Sequence, residues 1–165
     1  MYIFTTNNIE KELFMIRKMN YKDIDRVLEI WHESIIKSHD FIDQIYWDNA
    51  KDQIKNKYLI DSDTYVYEKN NTILGFISIW SEDTVGMIFV SIEHQANHIG
   101  SEMINYVKKK YHKLAFSVFK KNILGNKFAK KNDFKISYQQ VDTNTCEIEN
   151  VYIWEKRKLK TFILM

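Results

Sequence analysis

Residues 91–103, with the sequence SIEHQANHIGSEM, combine residue types that could bind a phosphate group. They follow an apolar run, MIFV, and precede an amphipathic run, INYVKKKY, so they should join a buried strand to a helix. The backbone N–H groups that open a helix are free to donate, and the helix dipole is positive there. Glycines would let a phosphate approach closely, but Gly100 is the only one in the segment. The segment is either a phosphate-binding loop that has lost a glycine or only a strand-to-helix connection.

His39 is the first candidate for moving a proton. A histidine titrates near neutral pH, so it can take a proton from an ammonium group. It lies in the segment SHDF, between two expected helices, where a histidine can equally be a helix cap, a turn residue or a surface residue. Asp40, Glu82 and Asp83 are weaker candidates, because a carboxylate is a poor base unless burial raises its pKa.

Local patterns predict the elements that would position these residues, beginning with one strand and two helices. FMIRKM at residues 14–19 alternates apolar and polar side chains, as a strand does. Apolar residues at helical spacing between residues 24 and 35 predict a helix that Asn20 can cap. A second helix should follow Asp43 as its cap. Its expected apolar stripe is Ile45, Trp47, Ile54, Tyr58 and Leu59.

The rest of the chain alternates between further strands and two helices. TYVYE and TILGFISIW flank KNN, which is a hairpin turn signal, and GMIFV predicts a third antiparallel strand. KLAFSVF is another strand, and NILGNKFAKKN a short helix that Asn122 can cap and Asn132 and Asp133 can end. FKISYQQVD and EIENVYIWE predict a closing hairpin. The expected fold is α/β (α+β), a mixed, mostly antiparallel twisted sheet flanked by helices in the order β-α-α-β-β-β-α-β-α-β-β.

Composition limits the classes of function. With 165 residues and 45% hydrophobic content, the chain can fill the core of one domain. Its formal charge of +2 gives no electrostatic reason to expect a nucleic-acid partner. Cys146 is the only cysteine, which argues against an intrachain disulfide or a cysteine zinc cluster, and no metal site is expected. No apolar run reaches the ~20 residues that span a bilayer. We expect a cytoplasmic protein that does not enter a membrane.

Two segments, read with this order of elements, carry a family resemblance. They resemble the strand-loop-helix and the strand-Asn-helix segments of the GNAT superfamily of N-acetyltransferases. The first segment is FVSIEHQANHIGSEMINYVKKKY, and the second is LAFSVFKKNILGNKFAKKNDFKI. The nearest likeness is to small bacterial members with His-Asp-Phe between the first two helices. The resemblance covers residues 15–155, leaving residues 1–14 as an N-terminal extension and 156–165 as a basic C-terminal tail. It implies acetyl transfer from acetyl-CoA to a primary amine of a small molecule or a protein, by a monomer or homodimer.

The resemblance also implies which residues hold acetyl-CoA. Backbone groups of Phe89 and Val90 would pair with the pantetheine amides. Asn122 would bond to the cofactor arm, although it could instead only cap its helix, and Phe128 would pack beside the cofactor or in the core. The residues implied in the pyrophosphate loop are Gln95, Ala96, Asn97, His98, Ile99, Gly100 and Ser101.

Two positions depart from the family pattern. His98 stands where the loop usually has its first glycine, and Ala129 stands where many members have a tyrosine that protonates the leaving thiolate. Direct attack by a neutral amine does not require that tyrosine, because water can protonate the thiolate less efficiently. The sequence therefore leaves three functions open. One is an N-acetyltransferase, and another is a catalytically weak or inactive acyl-CoA-binding module with a regulatory role. The third is a globular interaction domain that keeps only the fold, with the basic C-terminal tail as its contact surface.

Overall fold

The computed structural model describes residues 14–81 and 83–157, which form one sheet with helices on both faces. The strands are β1 (Phe14–Lys18), β2 (Asp63–Lys69), β3 (Thr72–Trp80), β4 (Thr84–Val90), β5 (Lys113–Phe119), β6 (Lys135–Val141) and β7 (Ile148–Glu155). The α-helices are α1 (Ile24–Ser38), α2 (Gln44–Gln53), α3 (Ile99–Lys108) and α4 (Ile123–Lys131). This order confirms the predicted succession of elements.

The sheet has the strand order β1-β2-β3-β4-β5-β7-β6. Neighbouring strands are antiparallel except for β4 and β5, which run parallel. The predicted mixed, mostly antiparallel sheet is therefore confirmed. The expected extension at residues 1–14 and the expected tail at 156–165 lie almost entirely outside the described residues, so the division into these segments stays a prediction.

Each face of the sheet carries one pair of helices and one apolar cluster. Helices α1 and α2 cover the face onto which Phe76 and Met87 point, and Trp31 is the largest side chain buried there. Helices α3 and α4 cover the opposite face, where Met103 and Ala129 are both fully buried. Side chains alternate across a strand, so the same strands supply both clusters. The two layers hold the ends of β4 and β5 between them.

Short-range signals behave as the sequence predicts. Asn70 and Asn71 both have positive φ, as a two-residue hairpin turn requires. The Asp43 carboxylate accepts from the Ile45 N–H at 2.8 Å and caps α2. Asp133, with φ 63°, takes the left-handed conformation that ends α4. These residues fix where the elements begin and end.

The predicted stripe of the second helix is wrong at one position. Ile45 is 65% exposed, because it lies two residues, or about 200° around the helix, from the buried Trp47. Ile54 lies seven residues, or about 20°, from Trp47 and is buried as predicted. The α-helix ends at Gln53 and continues as one π-helical segment, Ile54–Tyr58. The wider π turn changes the angular position of the residues after it, and Leu59 is also buried in the α1–α2 layer as predicted.

An ion-pair cluster ties the first strand to the first helix. The Arg17 guanidinium donates to the Asp23 carboxylate at 2.7 Å and to Glu68 Oε2 at 2.7 Å. Asp23 also accepts from the Asn20 N–H at 2.8 Å, in a capping box that closes the short 3-10 turn before α1. The hydrogen bonds from Arg17 are the largest cause that lowers the pKa of Asp23, and burial partly opposes them. The cluster sets the direction in which α1 leaves β1.

Candidate active site

A cleft opens in the middle of the sheet because β4 and β5 diverge. Their pairing is confined to Thr84 and Ala115, and the Ala115 N–H donates to the Asp83 carbonyl at 2.9 Å. Beyond that point the strands separate toward their C-terminal ends. The resulting cleft has a volume of about 690 Å³, within the usual range for cofactor and small-molecule sites. Residues from both helical layers line it.

The start of α3 forms one wall of the cleft. The N–H groups of residues 99–101 belong to the first helical turn, where the helix itself supplies no carbonyl partner. His98 is the N-cap residue and has φ 62°, and Ala96 has φ 65°. Both lie in the left-handed region, which costs a non-glycine residue about 1–2 kcal/mol. The loop thus keeps a backbone shape that favours glycine although His98 occupies the position.

Gly100 and Phe128 bring α3 and α4 together beside this wall. A Cβ atom at Gly100 would lie 3.0 Å from Cε2 of Phe128, so the ring rests directly on the first turn of α3. Phe128 also lines the cleft and packs against the cluster beneath α3. The two roles that the sequence left open for Phe128, cleft and core, are both present in its contacts.

The end of β4 presents its backbone to the cleft at alternate residues. The Ser91 N–H donates to the Leu74 carbonyl at 2.8 Å, so the backbone groups of Ser91 and Phe89 face β3. Those of Val90 face the opposite side, into the cleft. The Val90 carbonyl there accepts from Ser34 Oγ at 3.0 Å and from Gln95 Nε2 at 3.1 Å. Of the two predicted pantetheine contacts, only Val90 directs its backbone groups into the opening.

His39 lies on the other side of the cleft, at the C-terminal end of α1. It is 8% exposed, and the rings of Trp47, Phe119 and Phe41 surround it at centroid distances of 5.5, 5.4 and 5.6 Å. Its backbone N–H donates to the Ile35 carbonyl, so it is also the helix cap. The structure thus confirms the helix-cap alternative and excludes a surface residue, and the catalytic role stays a prediction.

The environment of His39 keeps its imidazole neutral. Burial lowers its pKa below the ordinary value of 6.5, against smaller opposing effects of the Ile35 carbonyl and Asp40. Nδ1 lies 3.1 Å from the Ile35 carbonyl oxygen. Because a carbonyl only accepts, we assign the ring proton to Nδ1. Nε2 is then unprotonated, which is the requirement for a general base.

Asn122 caps α4 and also reaches His39. Its Oδ1 accepts from the Gly125 N–H at 2.9 Å, which confirms the predicted cap. Its Nδ2 lies 3.5 Å from Nε2 of His39. Both side chains line the cleft. The structure thus joins two residues that are 83 positions apart in the sequence.

The remaining candidates contribute less to the cleft. Asp40 is exposed and Asp83 is half-buried, while Glu82 lies outside the described residues. Ala129 is fully buried in the α3–α4 cluster and brings no proton donor to the site. Among residues 14–81 and 83–157, no group of three or more His, Cys, Asp or Glu side chains could hold a metal ion.

Ser34 and Ser38 were not identified from the sequence as parts of this site. Ser34 is 2% exposed and bonds to Val90, whereas Ser38 Oγ lies 2.7 Å from Nδ1 of His39. A signal was present, because Ser34 interrupts the apolar stripe of α1 at a position one heptad after Val27. A polar residue on a buried stripe needs a specific partner.

Comparison with known proteins identifies a family for this arrangement. The model of the acetyltransferase (GNAT) domain matches residues 27–143. Over 122 residues the chain is 29% identical to the peptidyl-lysine N-acetyltransferase YiaC of Escherichia coli, covering 74% of this chain and 84% of YiaC.

Solved structures agree with the fold. The solution structure of apo YjaB from E. coli has a TM-score of 0.76 and 18% identity, over 86% of this chain and 97% of YjaB. The PaiA N-acetyltransferase of Thermoplasma acidophilum, crystallised with coenzyme A, has a TM-score of 0.71 and 20% identity. The match covers 87% of this chain and 99% of PaiA. No helix within the described part of the chain is long and apolar enough to cross a membrane. The divergent strands β4 and β5, the open start of α3 and the family match together assign this chain to the GNAT acetyltransferase family.

Proposed function

We propose that this protein is an N-acetyltransferase that moves the acetyl group of acetyl-CoA to a primary amine by direct attack. The observation that carries the proposal is a single cleft with the N-terminus of α3 on one side and the buried His39 on the other. Family membership supports the reaction class, and the coenzyme A complex of PaiA supports the cosubstrate.

The cleft fits the chemistry of acetyl-CoA. A pyrophosphate group carries negative charge, and the N–H groups of residues 95–101 with the α3 dipole would bind it. The Val90 backbone would pair with a pantetheine amide, in place of one of the side chains that now bond to its carbonyl. Asn122 and Phe128 would complete the contacts along the arm, whereas the Phe89 backbone is paired with β3. Coenzyme A supplies the activated thioester, and the protein supplies its position.

His39 would act as the general base. The incoming ammonium gives one proton to Nε2, and the neutral amine nitrogen forms a bond to the thioester carbonyl carbon. The C–S bond then breaks, coenzyme A leaves as a thiolate, and the nitrogen releases its second proton. Because Ala129 has no proton to give, water passes this second proton to the thiolate, and His39 returns its proton to the solvent. The step needs no further co-reactant.

The acceptor side of the cleft suits a positively charged amine. Asp142 and Glu149 line it, and Tyr46, Trp47 and Tyr58 provide aromatic walls. The named activity of YiaC makes a lysine side chain in a peptide the first acceptor to try, with small primary amines as the alternative. We retain the expectations of a monomer or homodimer and of a cytoplasmic location.

The second candidate function is acyl-CoA binding with weak or no catalysis. His98 at the glycine position and Ala129 at the tyrosine position favour it. It differs from the first function in one measurable respect: acetyl-CoA would bind, but acetyl transfer would be absent.

The test combines binding and turnover. Calorimetry with acetyl-CoA measures binding, and the release of free thiol with lysine peptides and an amine panel measures transfer. We expect His39→Gln to leave acetyl-CoA affinity nearly unchanged and to lower kcat by about 10²–10⁴-fold. His32→Gln is the matched control, because His32 is also on α1 but bonds to Asp48 outside the cleft. Binding without transfer by the unaltered protein would favour the second function, and no binding at millimolar acetyl-CoA would refute both.

A further inference from the structure

We propose that Asn122 is a positioning residue that acts through His39. Before an amine binds, its side-chain amide donates toward Nε2 across 3.5 Å and thereby holds the imidazole in the tautomer with an unprotonated Nε2; the incoming amine would then replace Asn122 at that lone pair. The inference rests on the proposed role of His39 as the base. It assigns to Asn122 a function beyond capping α4 and contacting the cofactor arm.

The orientation of the Asn122 amide is fixed by its surroundings. Oδ1 accepts from the Gly125 N–H at 2.9 Å, so Nδ2 must be the atom that faces His39, at 3.5 Å from Nε2. The backbone is held as well, since the Asn122 N–H donates to the Phe119 carbonyl and its carbonyl accepts from Asn126 Nδ2 at 2.7 Å. An amide N–H opposite a ring nitrogen is satisfied only by the lone pair of that nitrogen.

The other ring nitrogen is fixed from the opposite direction. Ser38 Oγ donates to the Ser34 carbonyl at 2.8 Å, so it is free to accept from Nδ1–H of His39 at 2.7 Å. Ser34 in turn donates to the Val90 carbonyl. Hydrogen bonds therefore run from the end of β4, through the last turn of α1 and the imidazole, to the start of α4. The contacts at Nδ1 and at Nε2 both indicate the tautomer that carries its proton on Nδ1.

Charged groups around the imidazole do not override this arrangement. Asp40, next in sequence, is exposed and favours protonation only as a smaller effect. Tyr46 reaches the region from α2, where its ring contacts Trp47. Lys121, between β5 and α4, lies over the Phe41 ring and is paired at 2.7 Å with Glu147 of the β6–β7 loop. Burial and the Asn122 donor therefore both favour the neutral ring.

The informative variant is Asn122→Asp. A carboxylate can still accept from the Gly125 N–H and cap α4, so the helix is preserved. The same carboxylate places an acceptor and a negative charge opposite Nε2, which favours a proton there. Asn105→Asp is the matched control, because Asn105 is an exposed residue of α3 outside the lining of the cleft and gains the same charge there.

The experiment is an NMR titration of the His39 ring in the full-length protein, with the pH profile of kcat/KM as second readout. We expect the Nδ1–H tautomer in the unaltered protein. In Asn122→Asp, protonation of His39 and the acid limb of the profile should both move up by about one pH unit or more. Asn105→Asp should move neither by a comparable amount.

Two results would overturn the inference. One is the Nε2–H tautomer in the unaltered protein, which can be read even where Asn122→Asp fails to fold. The other is an unmoved His39 titration in a folded Asn122→Asp variant. The titration does not depend on turnover, so the two proposals can fail separately. If the tautomer and the shift are found while His39→Gln stays fully active, the positioning by Asn122 stands and the base role of His39 is refuted.

Discussion

Gly86 offers a sharp test of how the wall of the cleft is packed. An ideal Cβ atom at this position in β4 would lie 1.9 Å from Cδ2, 2.0 Å from Cε2 and 2.4 Å from Cγ of Trp80. The indole therefore lies directly across the strand at the one place that has no side chain. Cγ is bonded to the Trp80 Cβ atom, so the ring cannot yield by a small rotation. Gly86→Ala must move the whole side chain to another rotamer.

The expected cost follows from the contacts that Trp80 would lose. Forced overpacking costs about 1–3 kcal/mol. Trp80 also stacks on Tyr58 at a centroid distance of 4.6 Å and an angle of 21°, and such a pair contributes about 0.5–1.5 kcal/mol. Alanine in place of glycine stabilises the folded protein by about 0.5–1 kcal/mol, because glycine loses more backbone entropy on folding. We expect a net loss of about 2 kcal/mol in the free energy of unfolding.

Urea unfolding followed by circular dichroism measures this loss, and Trp80→Val provides the reference background. Without the indole, the Cβ atom has room, and Gly86→Ala should stabilise the protein by about 0.5–1 kcal/mol. The sign of the effect thus reverses between the two backgrounds. An equal cost in both would refute the reasoning, since the clash could not then be with Trp80.

Two further predictions concern stability. Asp23→Asn should cost about 1–2 kcal/mol at pH 7, since it removes the charge that Arg17 binds. The folded pKa of Asp23 is lowered, so this contribution is present above the ordinary value of 3.8 and is lost as pH falls through the folded pKa. Urea unfolding of both proteins at pH 7 and at strongly acidic pH measures the difference between their free energies of unfolding. An equal difference at the two pH values would contradict the prediction. Ala129→Tyr should destabilise by about 1–3 kcal/mol, because Ala129 is fully buried. A melting temperature equal to that of the unaltered protein would mean that the core accommodates the tyrosine ring, which would contradict the prediction.

The sequence by itself determined the elements and their order. The signals are local: Asn70 and Asn71 form the hairpin turn, and Asp43 and Asn122 cap the helices that follow them. Such signals depend on backbone groups a few residues away, so they can be recognised without knowing the fold. The family resemblance adds the loop at residues 95–101, whose left-handed backbone at His98 is retained although glycine is not.

The tertiary structure decided what the site can do. The meeting of His39 with Asn122 joins residues 83 positions apart, and the bond from Ser34 to Val90 joins residues 56 apart. Neither partner can be read from a periodic pattern, because each contact joins α1 to a separate element, the end of β4 for Ser34 and the start of α4 for His39. The burial that keeps His39 neutral has the same origin. Side-chain periodicity tells which face of an element is buried, but only packing fixes which atoms from separate elements meet there.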